Sequence, residues 1–226
     1  MKMFIYQAMR MFQDICMILS LFFSFRLINN RKVISYMRYF YWYSVVGGAI
    51  VLISYTSKNL GLPGEKGLQE IRNYSILFHF TFLSMFILSL VRYRKGFKIL
   101  LSIYCMLILL ILFYVVTYRG NTLNSASYPI ANLGLTFYCI VYYYFLFKDA
   151  PKINLQKNPA FWVISGIFLG MSVTIPIHSL HEYFRKENYV DLENRKALAS
   201  IAYFSYGVFH LFLVKAYSCA VYPQTI

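Results

Sequence analysis

Arg10 and Asp14 stand four residues apart in an apolar run, a spacing that puts them on one face of a helix and within reach of an ion pair. Histidines at 79, 178, 181 and 210 and the amide of Asn132 also fall in or beside apolar runs, where each could hydrogen-bond and the imidazoles could ligate a metal. Lys215, in "GVFHLFLVKAYS", raises the question of a Schiff-base lysine of the retinal-protein kind. Which chemistry these groups can do depends on how deep each lies in a membrane, and so on the helices that carry them.

The chain is 226 residues long, 59% hydrophobic and 20% aromatic, with 13% charged residues. A soluble domain averages about 25% charged residues, and a membrane span needs about 20 apolar ones. The sequence therefore predicts an all-α, polytopic membrane protein, one transmembrane domain over 1–226. Its expected spans are 4–27, 37–56, 74–92, 97–118, 127–147, 160–183 and 198–221, a seven-transmembrane-helix bundle whose main environment is the lipid bilayer. The first span has no small-residue cleavage site after it and reads as a retained helix. Cys16, Cys105, Cys139 and Cys219 are far apart and form no CxxC, so they read as small buried hydrophobes.

The net charge of +14 is unevenly placed. Arg26, Arg31, Lys32 and Arg38 follow the first span, Arg92, Arg94, Lys95 and Lys98 the third, and Lys148, Lys152 and Lys157 the fifth. In the other connections Lys58, Lys66 and Arg72 are offset by Glu65 and Glu70, Arg119 stands alone, and "RKENYVDLENRK" is mixed. Basic loops stay on the cytoplasmic side, which predicts an N-terminus outside and a cytoplasmic C-terminus. The basic balance therefore belongs to topology and not to nucleic acid. "YFYWY" (39–43) and "YYYF" (142–145) read as an aromatic belt at the inner interface.

On this map Lys215 lies about 28 Å from Lys196 along the last helix, at the inner boundary, where a lysine can snorkel to water. The third span has no carboxylate counter-ion, so a retinal protein is not expected. Asp14 lies about 18 Å from Arg26 along the first helix. His79 and Asn132 have comparable depth from the outer side, and His178 lies one turn beyond Thr174. Arg10, Asp14, His79, Asn132 and His178 therefore share the outer half of the membrane on four helices. Buried ionisable groups are costly and mark functional sites, so these five form the expected ligand-binding pocket. The alternative is that Arg10 and Asp14 pair and the others cross-link helices. His210 lies deeper and reads as a packing histidine.

"NPAFWVISGIFLGMSVTIPIHSLHEYF" carries its own packing signals. Asn158 is placed to cap a helix that starts at Pro159. Gly166 and Gly170, and Ser44 and Gly48, permit close helix approach. Pro176 lacks a backbone N–H and is expected to kink its helix.

"SILFH" gives Ser75 and His79 a Ser-x-x-x-His spacing that resembles part of the pattern in seven-span zinc hydrolases of the ceramidase and adiponectin-receptor type. Those also need an intramembrane Asp and an HxxxH pair on the last helix, whereas here the last helix has only His210. No metal is assigned, and His79, His178 and Asp14 are the alternative ligand set. No cofactor is called for, and no nucleotide loop or nucleophile with a matching base is present.

The segment "KNPAFWVISGIFLGMSV", the preceding "YYYFLFKD" and the final span resemble a group of small seven-span integral membrane proteins of Bacteroidota. Such proteins are often encoded beside sensor histidine kinases and have no assigned activity. The resemblance implies a sensory or accessory inner-membrane subunit with a histidine kinase as possible partner, and it transfers no site residues. The expected function is a receptor-like module that binds a small ligand or ion in an outward-facing polar pocket and signals through a partner protein. A transporter or pore is the second reading, which needs a polar path through His210 and Thr136, and a metal-dependent hydrolase is the third. Oligomeric state is not legible.

Overall fold

The computed structural model describes residues 2–29, 35–60, 65–117, 126–149, 154–186 and 192–221. Among them the chain forms α1 (Lys2–Asn29), α2 (Ser35–Leu60), α3 (Glu65–Leu90), α4 (Phe97–Thr117), α5 (Ser127–Asp149), α6 (Pro159–Lys186) and α7 (Leu192–Val221), with a 3-10 turn at Leu155–Lys157. Among these residues there is no strand. Six of the helices, all but α2, are long and apolar enough to cross a membrane by length and composition. Their outward faces carry exposed Phe4, Met11, Phe22, Met106, Phe113, Ile140 and Phe147. Such a coat suits lipid and would be an association hazard in water. The chain is a multi-pass membrane protein.

Several helices run past the apolar segments that mark them in the sequence. α3 starts at Glu65, nine residues before the expected edge at Tyr74, and α7 starts at Leu192 instead of Leu198. Glu, Lys, Gln and Arg are good helix formers, so a helix continues in water after its apolar stretch ends. The hydropathy edge marks a change of solvent, not of backbone. Arg31, Lys32, Arg119, Lys152 and residues 187–191 of the polar connection lie outside the described residues. At the start of α6, Asn158 Oδ1 accepts the Ala160 N–H at 3.0 Å, the cap expected before Pro159.

The helices close a ring in the order α1, α2, α3, α5, α6, α7, with α4 outside against α3 and α5. Sequence neighbours run antiparallel, while α1 and α7, first and last in the chain, lie side by side and parallel. Tyr6 and Tyr203 hydroxyls meet at 3.3 Å, and Phe12 stacks on Phe204. The small residues set the tightest seams. A Cβ added to Gly166 would sit 2.7 Å from Phe212 Cβ and 3.3 Å from the Phe209 carbonyl oxygen, so α6 meets α7 almost backbone to backbone. Gly170 faces Phe209 on the same seam, and Gly48 faces Leu21 of α1. The Gly166–Gly170 pair therefore serves packing within the chain.

Buried polar residues lie inside this ring: Ser44, Asn132, Thr174 and Ser205 are each under one-tenth exposed. Pro176 leaves the carbonyl of Ser172 without its i+4 donor. Just before it, Thr174 Oγ1 lies 3.0 Å from the Gly170 carbonyl and 2.9 Å from that of Met171. Such back-bonding bends helices slightly, and α6 stays helical through Pro176 from Pro159 to Lys186.

Candidate functional site

Tyr43 of α2 is buried, and its hydroxyl lies 2.9 Å from Nδ1 of His79 on α3. Rings hold the pair in place. Phe78 stacks on Tyr43 at 6.0 Å, Phe82 lies at 5.0 Å, and Phe209 of α7 stands edge-on at 6.3 Å. The phenol is buried in this apolar cage, and the imidazole is half-buried beside it.

On the far side of α7, Asn132 of α5 donates from Nδ2 to Thr174 Oγ1 of α6 at 2.9 Å. Thr174 in turn donates to its own helix, and Thr136 donates to the Asn132 carbonyl at 2.8 Å. The Tyr206 hydroxyl of α7 lies beside both Asn132 and Thr174.

α7 joins the two halves. Tyr206 and His210 are four residues apart and share a face. Tyr206 is an electrostatic neighbour of Tyr43, and His210 of His79. Five helices thus contribute to one polar cluster, with Tyr43, Asn132 and Thr174 buried and His79, Tyr206 and His210 half-buried. None of these side chains is a carboxylate, lysine or arginine. Two atoms in it, Asn132 Oδ1 and His210 Nδ1, are buried and make no hydrogen bond among the described residues. Leaving such a group unpaired costs about 1–3 kcal/mol.

Of the five residues expected to line a pocket, His79 and Asn132 belong to this cluster. His178 sits one turn beyond Thr174 on α6, its ring 4.9 Å from that of Tyr128 on α5. Arg10 is exposed and Asp14 half-buried on α1, and the charge of Arg10 acts on Asp14. That stretch of α1 meets α7 across Gly207, where an added Cβ would sit 2.5 Å from the Phe12 ring and 3.5 Å from Gln13 Cα. Among the described residues no three His, Cys, Asp or Glu side chains come close enough to hold a metal ion, so His79, His178 and Asp14 form no ligand set. Lys215 is exposed, with Nζ 5.8 Å above the Trp162 ring.

Sequence reasoning passed over Tyr43 and Tyr206 and set His210 apart. Tyr43 lies inside "YFYWY", where four neighbouring aromatics mask it as part of an interfacial belt, and it is one of 22 tyrosines. The usable signal was the i, i+4 pair Tyr206–His210, which places two polar groups on one face of an otherwise apolar helix. The chain matches no protein-family model, no curated protein and no solved structure.

Proposed function

We propose that this protein is a receptor-like module of the bacterial inner membrane, with seven spans, its N-terminus outside and its C-terminus in the cytoplasm. It binds a small uncharged polar ligand in the central cluster and passes occupancy to a partner protein. A sensor histidine kinase remains the partner suggested by the sequence resemblance.

The observation that carries this reading is the pair of unpartnered polar atoms, Asn132 Oδ1 and His210 Nδ1, buried where five helices meet. In a bilayer core each unsatisfied group is costly, and a ligand that hydrogen-bonds to both removes that cost. The lining has no fixed charge, so it would hold a charged ligand without compensation. This favours a neutral ligand over an ion, and it moves the site from the Arg10–Asp14 face into the ring.

Transmission would run through α6. Thr174 accepts from Asn132 Nδ2 two residues before Pro176, so a ligand that draws Asn132 toward itself through Oδ1 shifts the balance between two packings of α6 on α5. It must favour one of them to transmit anything. The exposed basic residues Arg92, Arg94, Lys95, Lys148 and Lys215 gather at one end of the bundle, which supports placing that end in the cytoplasm. Arg94 lies over Phe145, Lys148 over Tyr144 and Lys215 over Trp162, at 5.7–5.8 Å.

Thermal unfolding of the purified protein against a panel of neutral diols, amides and quinols tests the reading. A ligand at a hundred times its Kd adds about 2.7 kcal/mol of stability. At least one compound should stabilise the wild type and leave Asn132→Leu unaffected. If no compound distinguishes the two, the cluster serves to cross-link helices.

A further inference from the structure

The polar side chains do not end at His210. Two turns further along α7, Tyr217 is fully buried, with its hydroxyl 3.0 Å from Ser44 Oγ and 3.4 Å from the Phe40 carbonyl oxygen. Ser20 of α1 lies beside it, and Tyr217 is also an electrostatic neighbour of Tyr43. In the opposite direction, Thr174 is followed one turn later by His178 against Tyr128. Tyr206 to Tyr217 covers about 16 Å along α7, and His178 adds a further turn of about 5 Å. That is most of a hydrocarbon core about 30 Å thick.

The chemistry of this row is selective. Hydroxyl and imidazole groups both donate and accept hydrogen bonds. A metal cation or an anion entering the row would lose its hydration shell and meet no countercharge, at a cost of several kcal/mol. A proton needs neither a wide bore nor a countercharge along the way. It binds a lone pair on one side of a hydroxyl or imidazole while a different proton leaves from the other side. Each hop forms one O–H or N–H bond and breaks another, and every side chain returns to its starting charge. Water on one face supplies the proton, and water on the other takes it up. Nothing is oxidised or reduced.

We infer that the row from His178 to Tyr217 conducts protons across the membrane, with water molecules bridging its side chains. Asn132 Oδ1 and His210 Nδ1, which make no hydrogen bond among the described residues, are the anchors for those waters. A buried water needs two to four polar partners, and the cluster around Tyr43, His79 and Tyr206 supplies them. Thr174 and Ser44 mark the two places where the row passes from α7 to a neighbouring helix. This activity requires no ligand, but its waters occupy the same two anchors as the proposed ligand, so a bound ligand would interrupt the row.

The test is proton uptake by liposomes that contain the purified full-length protein and internal pyranine, driven by a potassium–valinomycin potential. The interior should acidify faster than in protein-free liposomes. Tyr43→Phe and Tyr217→Phe, which remove one oxygen each, should bring the rate down to that of protein-free liposomes. Tyr39→Phe, on the exposed face of α2, should leave it unchanged. His210→Ala should also abolish uptake, and if that variant fails to fold the two phenylalanine variants decide. A wild-type rate equal to that of protein-free liposomes overturns the inference. So does a rate unchanged in both phenylalanine variants. Sodium flux of similar size would also overturn it, because it would show a hydrated pore in place of a hydrogen-bonded row.

Discussion

Tyr43 and His79 meet at 2.9 Å, hydroxyl to Nδ1, across the α2–α3 seam inside the ring of helices. Tyr43 is buried and His79 half-buried, and each gives the other a hydrogen-bond partner.

That pairing has a measurable coupling. Hydrogen bonds between membrane helices contribute about 0.6–2 kcal/mol. A double-mutant cycle of Tyr43→Phe and His79→Leu, followed by denaturant unfolding in micelles, should return an interaction energy in that range. Strictly additive effects would mean that the two groups do not depend on each other.

The glycines should divide by their surroundings. Gly166→Ala places a methyl group 2.7 Å from Phe212 Cβ and against the Phe209 backbone, so α6 and α7 must separate. Overpacking of this kind costs about 1–3 kcal/mol. Gly47 has nothing within 4 Å of the added carbon, so Gly47→Ala should be neutral or stabilise α2 by about 0.5–1 kcal/mol. Unfolding of the two variants side by side checks the α6–α7 seam directly, and equal effects would contradict it.

The direction of the bundle has its own test. In a cysteine-free background, Lys95→Cys lies on an exposed turn between α3 and α4. A membrane-impermeant maleimide should label it only after the inner membrane is opened. Labelling in intact spheroplasts would put the basic end outside and invert the proposed topology.

Much of the fold was legible because hydropathy and charge are one-dimensional signals. Seven apolar runs gave seven helices, and the cap at Asn158 and the close approach at Gly166 followed from residue type. The ends of α3 and α7 were not legible, because charged helix formers extend a helix without any apolar signature. The site was read only in part. Depth along a helix can be counted from sequence, and His79 and Asn132 were placed that way. Rotation about the helix axis, and which helices are neighbours, cannot be counted in the same way. Asp14 and His79 can therefore share a depth while α1 packs its own stretch against α7 and Gly207. Tyr206 and His210 reach the cluster because α7 lies between α1 and α6, which no local pattern states.

The most direct measurement is an experimental density map of the protein purified from its native membrane, at a resolution that shows small bound molecules. The account predicts a non-protein group, ligand or ordered water, within hydrogen-bonding distance of Asn132 Oδ1 and His210 Nδ1. A map in which both atoms are satisfied by protein side chains, with no room left between Tyr206, His79 and Thr174, would contradict it.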